Sequence, residues 1–206
     1  MFAYIVLGLW LILAVPKGEL EVDLNRHHTI ELDYFFSFIT NLGDGNVSVA
    51  IIILLFFRKI YYAIFATISF IFSTLVVHFF KRIIFTDMPR PSVFLDKKLN
   101  LHYVQGVEIW GANSFPSGHT AGAFAIFLVL AIVYRNKYFD VVFFMLSFLV
   151  GLSRVYLLQH FFVDTYFGAI IGVVTTLLVY YFTYYKANWI DNSMLNKSVI
   201  NLFSPK

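Results

Sequence analysis

The chain has 206 residues and a formal net charge of +3, and 60% of its residues are hydrophobic while only 13% are charged. Soluble domains average about 45–50% apolar and about 25% charged residues, so this composition is typical of a membrane protein. The absence of cysteine excludes disulfides, cysteine-ligated metal centres and thiol catalysis, and the small net charge does not indicate a nucleic-acid partner.

Apolar runs predict an all-α fold, a bundle of six transmembrane helices that forms one domain over residues 1–206. A bilayer core of about 30 Å needs about 20 apolar residues per helix. The first run, residues 2–15, is interpreted as a retained helix rather than a signal peptide, because no positive segment precedes it. Residues 30–42 carry apolar side chains on one face, which predicts a short interfacial helix before the second span. The other spans are predicted at residues 47–57, 60–80, 118–134, 138–152 and 160–185, followed by an interfacial tail over residues 187–206.

The unusual polar residues fall at one predicted membrane face. Successive spans cross the bilayer in opposite directions, so the end of the third, the start of the fourth, the end of the fifth and the start of the sixth share a side. The long polar connection over residues 86–115 lies on that side too, and connections of this length are usually functional or disordered. Ionisable groups next to lipid-facing sequence are costly, which makes them candidates for function. The pattern indicates one site.

His160 and Asp164 are four residues apart in a stretch that is otherwise mostly apolar. On a helix this spacing predicts that both side chains lie on one face. A carboxylate bound to one imidazole nitrogen fixes the tautomer and leaves the other nitrogen free to attack an electrophile. The alternative is a buried pair that joins two helices, and the spacing alone does not distinguish the two.

A second group, Pro116 to His119, opens the fourth predicted span. Ser117 is a candidate N-cap, and Gly118 lets a backbone N–H approach a ligand closely. Free N–H groups at a helix start bind anions, and His119 in that first turn could protonate a leaving oxygen. The alternative is an ordinary capped helix start.

Three cations, Lys81, Arg90 and Arg154, could neutralise a phosphoryl group, and arginine presents a planar fork that suits phosphate. Taken singly, each could instead be an interfacial cation that contacts lipid headgroups. The remaining cations and histidines of the site face and the loops are interpreted as surface, structural or solvated groups: Lys97, Lys98, His27, His28, His78 and His102.

Together these motifs resemble the type 2 phosphatidic acid phosphatase family. Its third motif, Ser-Arg, five residues, His, three residues, Asp, is matched without a gap from Ser153 to Asp164, and its second, Pro-Ser-Gly-His, is matched from Pro116 to His119. The first motif is a Lys seven residues before an Arg-Pro pair. Arg90-Pro91 fits the pair, but Lys81 stands nine residues before Arg90 and the rival Arg82 eight, which predicts a small insertion around residues 86–88. The motif-bearing core covers about residues 73–168.

The resemblance implies an integral membrane phosphatase that needs no metal and no cofactor. It makes His160 the nucleophile that forms a phosphohistidine, Asp164 the residue that orients it, and His119 the acid that protonates the leaving group. It assigns the binding of the phosphoryl oxygens to the remaining matched residues, which are Lys81, Arg90, Ser117, Gly118 and Arg154.

The leading hypothesis is therefore an enzyme of the bacterial cell envelope that hydrolyses a lipid phosphate or diphosphate, with the bilayer and its substrate as its only indicated partners. A vanadate-dependent haloperoxidase shares these motifs, but such enzymes are soluble. A lipid-phosphate binding or transport protein is the other alternative, although two histidines argue for catalysis. Undecaprenyl diphosphate, phosphatidic acid, phosphatidylglycerophosphate and lipid A phosphates all fit the reacting end. Counting positive charges would put the site in the cytoplasm, whereas the resemblance favours a periplasmic or exterior site.

Overall fold

The structure, a computed structural model, describes residues 1–95 and 99–203, so the predicted surface lysines Lys97 and Lys98 lie outside the described residues. Within these ranges the chain is helical and contains no strand. The helices are α1 (Phe2–Ala14), α2 (Glu19–Arg26), α3 (Ile30–Thr40), α4 (Gly45–Phe56), α5 (Ile60–Phe79), α6 (Pro91–Phe94), α7 (Gly118–Tyr134), α8 (Lys137–Tyr156), α9 (Phe162–Tyr180) and α10 (Val199–Phe203). The predicted all-α class is confirmed.

The prediction of six spans is confirmed only in part. Three helices in the described ranges are long and apolar enough to cross a membrane, and they are Ile60–Ile84, Lys137–Tyr156 and Phe162–Lys186. The first and third of these include π-helical turns at their ends. Two further apolar helices, α1 and α7, are shorter, with 13 and 17 residues. Length and composition therefore support three spans, or four if a bent pair is counted as one.

That bent pair corrects the predicted interfacial helix and short second span. Residues Ile30–Gly43 and Gly45–Phe56 qualify together as one span, with a bend of 54° between them. The bend lies at Asp44, whose carboxylate oxygen Oδ1 accepts a hydrogen bond from the backbone N–H of Asn46 at 2.8 Å and caps α4. The cap at Asp44 starts a new helix whose axis differs from that of α3. The apolar periodicity on each side of Asp44 does not reveal the angle between the two helices.

The helix α7 lies at the centre of the bundle and packs against α5, α8 and α9. It is apolar on all sides, as expected for a buried helix. It approaches α9 closely at Gly168 and Gly172, since a Cβ atom at Gly168 would lie 2.6 Å from the carbonyl oxygen of Ser117 and one at Gly172 would collide with the carbonyl oxygen of Ala121. Small residues four apart allow this kind of contact between membrane helices.

The described residues of the long connection between α5 and α7 are joined to one another and to α2 by hydrogen bonds to the main chain. Ser114 N–H donates to the carbonyl oxygen of Met88 at 3.0 Å, and Arg90 N–H donates to that of Gly111 at 3.0 Å. Asn25 on α2 pairs with the main chain of His102 through two hydrogen bonds of 2.8 and 2.9 Å. The described residues of the connection, 86–95 and 99–115, therefore fold back on themselves and lie against α2.

The tail after α9 reaches the opposite end of the bundle. The carbonyl oxygens of Leu195 and Lys197 accept hydrogen bonds from the first N–H groups of α5, those of Tyr61 and Ile60, at 2.9 and 3.0 Å. These bonds satisfy donors that a helix start leaves unpaired. The described part of the predicted interfacial tail thus caps a helix.

Candidate active site

The polar residues of the three motifs meet on the side covered by the long connection, where α5 and α8 end and α7 and α9 begin. His160 lies in the turn between α8 and α9, not on α9, because α9 begins at Phe162. The prediction that His160 and Asp164 share one helix face is therefore wrong in its reason. The two residues still meet, because Asp164 in the first turn of α9 reaches back towards the turn that precedes it.

One oxygen of Asp164 is the centre of this contact. Its Oδ2 accepts hydrogen bonds from Ser114 Oγ at 2.5 Å, from the Phe161 backbone N–H at 3.0 Å and from His160 Nδ1 at 3.3 Å. The main-chain carbonyl oxygen of Asp164 also accepts from the Ser117 N–H at 3.0 Å. With the Nδ1 hydrogen directed at a carboxylate, the lone pair of His160 lies on Nε2. The arrangement prepares Nε2 as a nucleophile.

His160 and Asp164 are 2% and 1% exposed. Burial lowers the pKa of His160 well below its usual value, and the positive charges of Arg90, Arg154 and Lys81 lower it further. The neighbouring carboxylate acts in the opposite direction, but burial and three cations outweigh it. The imidazole therefore remains neutral, the form that a nucleophile requires.

Two buried arginines from different parts of the chain lie side by side at the site. Arg90, which precedes α6, donates from Nη1 to the carbonyl oxygen of Gln159 at 2.9 Å and to its side-chain Oε1 at 3.3 Å. Arg154 donates from Nη2 to the same Oε1 at 3.3 Å and from Nη1 to Thr40 Oγ1 at 2.8 Å. The Nε of Arg154 is buried and has no hydrogen-bond partner among residues 1–95 and 99–203. That N–H is available to a ligand.

Lys81 is half-buried and lies within electrostatic reach of Arg90, Arg154 and Asp164, whereas Arg82 is exposed. The structure thus brings Lys81 to the site and leaves Arg82 outside it. The longer spacing to Arg90 includes a π-helical turn at Phe80–Ile84 and a left-handed residue, Asp87, with φ of 58°. A π turn holds one more residue than an α turn, so it contributes to this longer spacing.

At the start of α7, the predicted N-cap is confirmed. Ser117 is fully buried, and its Oγ accepts a hydrogen bond from the Thr120 N–H at 3.4 Å and contacts Thr120 Oγ1 at 2.9 Å. Both the hydroxyl and the N–H of Ser117 are thus already engaged within the protein. His119 is half-buried and lies within electrostatic reach of the same three cations as His160.

Three contributors to the site were not found in the sequence. Ser114 binds Asp164, Gln159 joins the two arginines, and Thr40 binds Arg154. Gln159 had a signal, because it is an amide between apolar residues and directly precedes His160. Ser114 and Thr40 had none, because their partners lie 50 and 114 residues away in the chain.

A second histidine–aspartate pair lies nearer the surface, and it gives His102 a partner that residue spacing did not indicate. His102 Nε2 lies 2.7 Å from Asp33 Oδ2, and Tyr156 donates to Asp33 Oδ1 at 2.6 Å. The ring of His28 stacks on that of His102 with centroids 3.7 Å apart. The ligand atoms of His28, Asp33 and His102 lie within 4.8 Å of one another, so these residues could hold a metal ion. Their stacked rings direct the nitrogen lone pairs parallel rather than towards one point.

Comparison with known proteins agrees with this geometry. The chain is 28% identical over 191 residues to the lipid A 4'-phosphatase of Porphyromonas gingivalis, and the alignment covers 84% of this chain and 78% of that protein. The crystal structure of Aquifex aeolicus LpxE superposes with a TM-score of 0.70 at 28% identity, covering 79% of this chain and 93% of that one. The PAP2-type phosphatidylglycerolphosphate phosphatase of Bacillus subtilis shares the fold, with a TM-score of 0.64 at 22% identity over 88% of this chain and 94% of that one. The sequence profile of the PAP2 superfamily matches residues 59–188, which is more than half of the chain, and the protein therefore belongs to that family.

Proposed function

We propose that this protein is an integral membrane phosphatase that hydrolyses a phosphate or diphosphate monoester of a lipid through a phosphohistidine on His160. The observation that carries the proposal is the triple hydrogen bonding of Asp164 Oδ2, which directs His160 Nδ1 inward and leaves Nε2 free beside Lys81, Arg90 and Arg154. A neutral nitrogen nucleophile next to a group of cations suits attack on a phosphorus atom whose oxygens carry negative charge.

In the first step His160 Nε2 forms a bond to phosphorus while the bond to the leaving oxygen breaks. His119, which holds a proton once the negatively charged phosphate occupies the site, gives that oxygen its proton. In the second step neutral His119 takes a proton from water, the water oxygen bonds to phosphorus, and the phosphorus–nitrogen bond breaks to release phosphate. Lys81, Arg90 and Arg154 bind the phosphoryl oxygens together with the N–H of Gly118. Ser117, whose N–H and hydroxyl are engaged within the protein, holds the start of α7 in place for this contact. A single contact of this kind is worth about 3 kcal/mol of barrier.

The reaction proceeds without a metal in this proposal. Metal ions in phosphoryl transfer neutralise charge and orient oxygens, and three positively charged side chains at one place can perform both tasks. The cluster of His28, Asp33 and His102 does not take part, because its side chains contact one another and Tyr156 rather than the imidazole of His160.

A lipid A type sugar phosphate is the first substrate to test. The Porphyromonas gingivalis relative, named as a lipid A 4'-phosphatase, supports this choice. Undecaprenyl diphosphate, phosphatidic acid and phosphatidylglycerophosphate remain candidates, because all four offer the same reacting group.

We place the whole chain, residues 1–206, in the cell membrane of a bacterium as one domain, with the site at the periplasmic or outer face. The six apolar segments form the bundle. The helix α7 supports this count, because its 17 residues reach the lower limit of about 17–25 residues for a transmembrane helix. The headgroup of a lipid in that leaflet would reach the site.

The test is phosphate release by the purified protein in detergent, measured on the four lipids in parallel with a His160→Ala variant. We expect release from at least one lipid by the wild type and none by the variant. Release without halide oxidation would exclude haloperoxidase activity, and lipid binding without release would indicate a binding or transport protein. Equal release by His160→Ala and the wild type would refute the proposal.

A further inference from the structure

The strongest unassigned feature of the site is the environment of Gln159. The side chain is buried, with 3% exposed, and it lies directly before the proposed nucleophile. Its Oε1 accepts one hydrogen bond from Arg90 and one from Arg154, both at 3.3 Å. Its amide nitrogen donates to the carbonyl oxygen of Glu108 in the long connection. One side chain thus contacts both arginines and the segment that covers them.

Chemistry determines which end of the amide faces the arginines. Guanidinium groups only donate hydrogen bonds, and the carbonyl oxygen of Glu108 only accepts them. Rotating the amide by half a turn would place its N–H groups against two guanidinium groups and its oxygen against another oxygen. All contacts would then be repulsive, so the oxygen of Gln159 lies between the arginines.

A neutral acceptor at this position solves a specific electrostatic problem. Two guanidinium groups repel each other, and the repulsion is strong where water is excluded. A carboxylate between them would hold them together, but it would also cancel the positive charge that a phosphoryl group needs. An amide oxygen joins the two without cancelling their charge, and the buried Nε of Arg154 keeps its hydrogen unpaired within the described residues.

We propose that Gln159 is a positioning residue that holds Arg90 and Arg154 together, through one neutral oxygen, in the arrangement that receives the phosphoryl oxygens of the substrate. The proposal rests on the function proposed above and adds a residue at a position that the third motif leaves unspecified. It follows that charge at position 159, and not only size, controls the affinity of the site for a phosphate-like anion.

Two variants and one control test this on the full-length protein in detergent. Gln159→Met keeps the length of the side chain and removes both polar groups. Gln159→Glu keeps the shape and an acceptor for both arginines, but it adds a negative charge and removes the donor to the carbonyl oxygen of Glu108. Gln105→Met, at the exposed glutamine of the same long connection, is the matched control. Orthovanadate is the probe, because it resembles the phosphoryl group, and its dissociation constant is measured by calorimetry next to the melting temperature and to kcat and KM.

For Gln159→Glu we expect a folded protein, because ion pairs with both arginines offset the lost hydrogen bond to Glu108. We expect vanadate binding weakened by about tenfold or more, the scale of one lost hydrogen bond to a charged group. For Gln159→Met we expect kcat/KM to fall by about 10²-fold, the scale of a misplaced binding group. Gln105→Met should match the wild type in every measurement. If Gln159→Met does not fold, Gln159→Glu alone decides.

Vanadate binding by Gln159→Glu within about twofold of the wild type, well below the tenfold scale of a lost hydrogen bond to a charged group, would overturn the proposal. Because calorimetry needs no turnover, this result is separate from the proposed function. If the wild type binds vanadate but releases phosphate from none of the four lipids, the proposed function fails while the role of Gln159 is still decided.

Discussion

The molecule contains two histidine–aspartate pairs, and the shorter hydrogen bond is not the one at the candidate active site. His102 and Asp33 lie 2.7 Å apart with side chains 31% and 16% exposed, whereas His160 and Asp164 lie 3.3 Å apart and are 2% and 1% exposed. The first pair ties the long connection to α3 and, through Tyr156, to α8. The second lies beside Arg90, Arg154 and Lys81.

The comparison shows that surroundings, rather than the pair itself, create reactivity. Both aspartates orient a histidine, but only His160 lies near cations that could bind a phosphoryl group. Asp164 is also held by Ser114 and by the start of α9, so its position does not depend on the histidine. Variants at the surface pair are therefore matched controls for variants at the buried pair.

The largest expected effect separates the two histidines. His160→Ala should lower kcat/KM by a factor of about 10⁵ or more, the scale of losing a nucleophile, while the protein remains folded. His102→Ala should retain turnover and lose about 1 kcal/mol of stability, the value of one hydrogen bond. Phosphate release and melting temperature are measured for both. If the two substitutions reduced turnover equally, the pairs would not differ in function.

The second largest effect on kcat should distinguish the two aspartates. Asp164→Asn keeps an acceptor for the Phe161 N–H and so should fold, but it no longer fixes the imidazole tautomer, and kcat should fall by about 10³–10⁴. Asp33→Asn should leave kcat unchanged. Steady-state kinetics on one lipid phosphate, with melting temperatures as the folding control, gives the comparison. A mild effect of Asp164→Asn would remove the orienting role.

A smaller and conditional effect is expected at His119, which lies in the first turn of α7. His119→Ala should lose about 10²–10⁴ in kcat/KM on a lipid phosphate, whose alkoxide must be protonated as it leaves. It should lose much less on p-nitrophenyl phosphate, whose leaving group needs no proton. His160→Ala should be inactive on both esters. Equal loss by His119→Ala on the two esters would indicate that this residue only binds phosphate or stabilises the helix start.

The acidic limb of the pH profile should lie at lower pH than for an ordinary histidine. Because burial and three cations lower the pKa of His160, the neutral nucleophile persists below the ordinary histidine pKa of about 6.5. The acidic limb of kcat/KM should therefore lie below that pH, after correction for ionisation of the substrate phosphate. Lys81→Gln removes one positive charge and should move the limb upward. His102→Ala should not move it, and an acidic limb at the ordinary histidine pKa would contradict the assignment.

The smallest expected effect is that of chelation. Turnover should be unchanged in EDTA, because Lys81, Arg90 and Arg154 supply the charge that a metal would supply. A metal held by His28, Asp33 and His102 would alter the melting temperature on chelation without altering kcat. Loss of activity in EDTA that magnesium restores would contradict the metal-independent mechanism.

Much of the candidate site could be predicted because its residues are chemically conspicuous in an apolar chain. His160, Asp164, His119 and Arg154 lie next to hydrophobic sequence at a helix end, and Arg90 precedes a proline in the long polar connection. The reason given for the His160–Asp164 pair was nevertheless wrong, because helical periodicity cannot show that α9 begins two residues after His160. The break between the helices over residues 30–42 and 47–57 was predicted, but the sequence did not show that the two qualify together as one bent span.

The sequence by itself determined the membrane character of this protein, its helical class and the identity of the groups proposed to face phosphate, because these depend on composition and local spacing. Only the tertiary structure decided which partners those groups have. Gln159 joins arginines that come from opposite ends of the motif region, Arg90 being 69 residues away, and Arg154 reaches Thr40 across 114 residues. Such contacts have no period in the chain, since they form only when packing of the bundle, with α7 in close contact with α9, brings distant segments to one end.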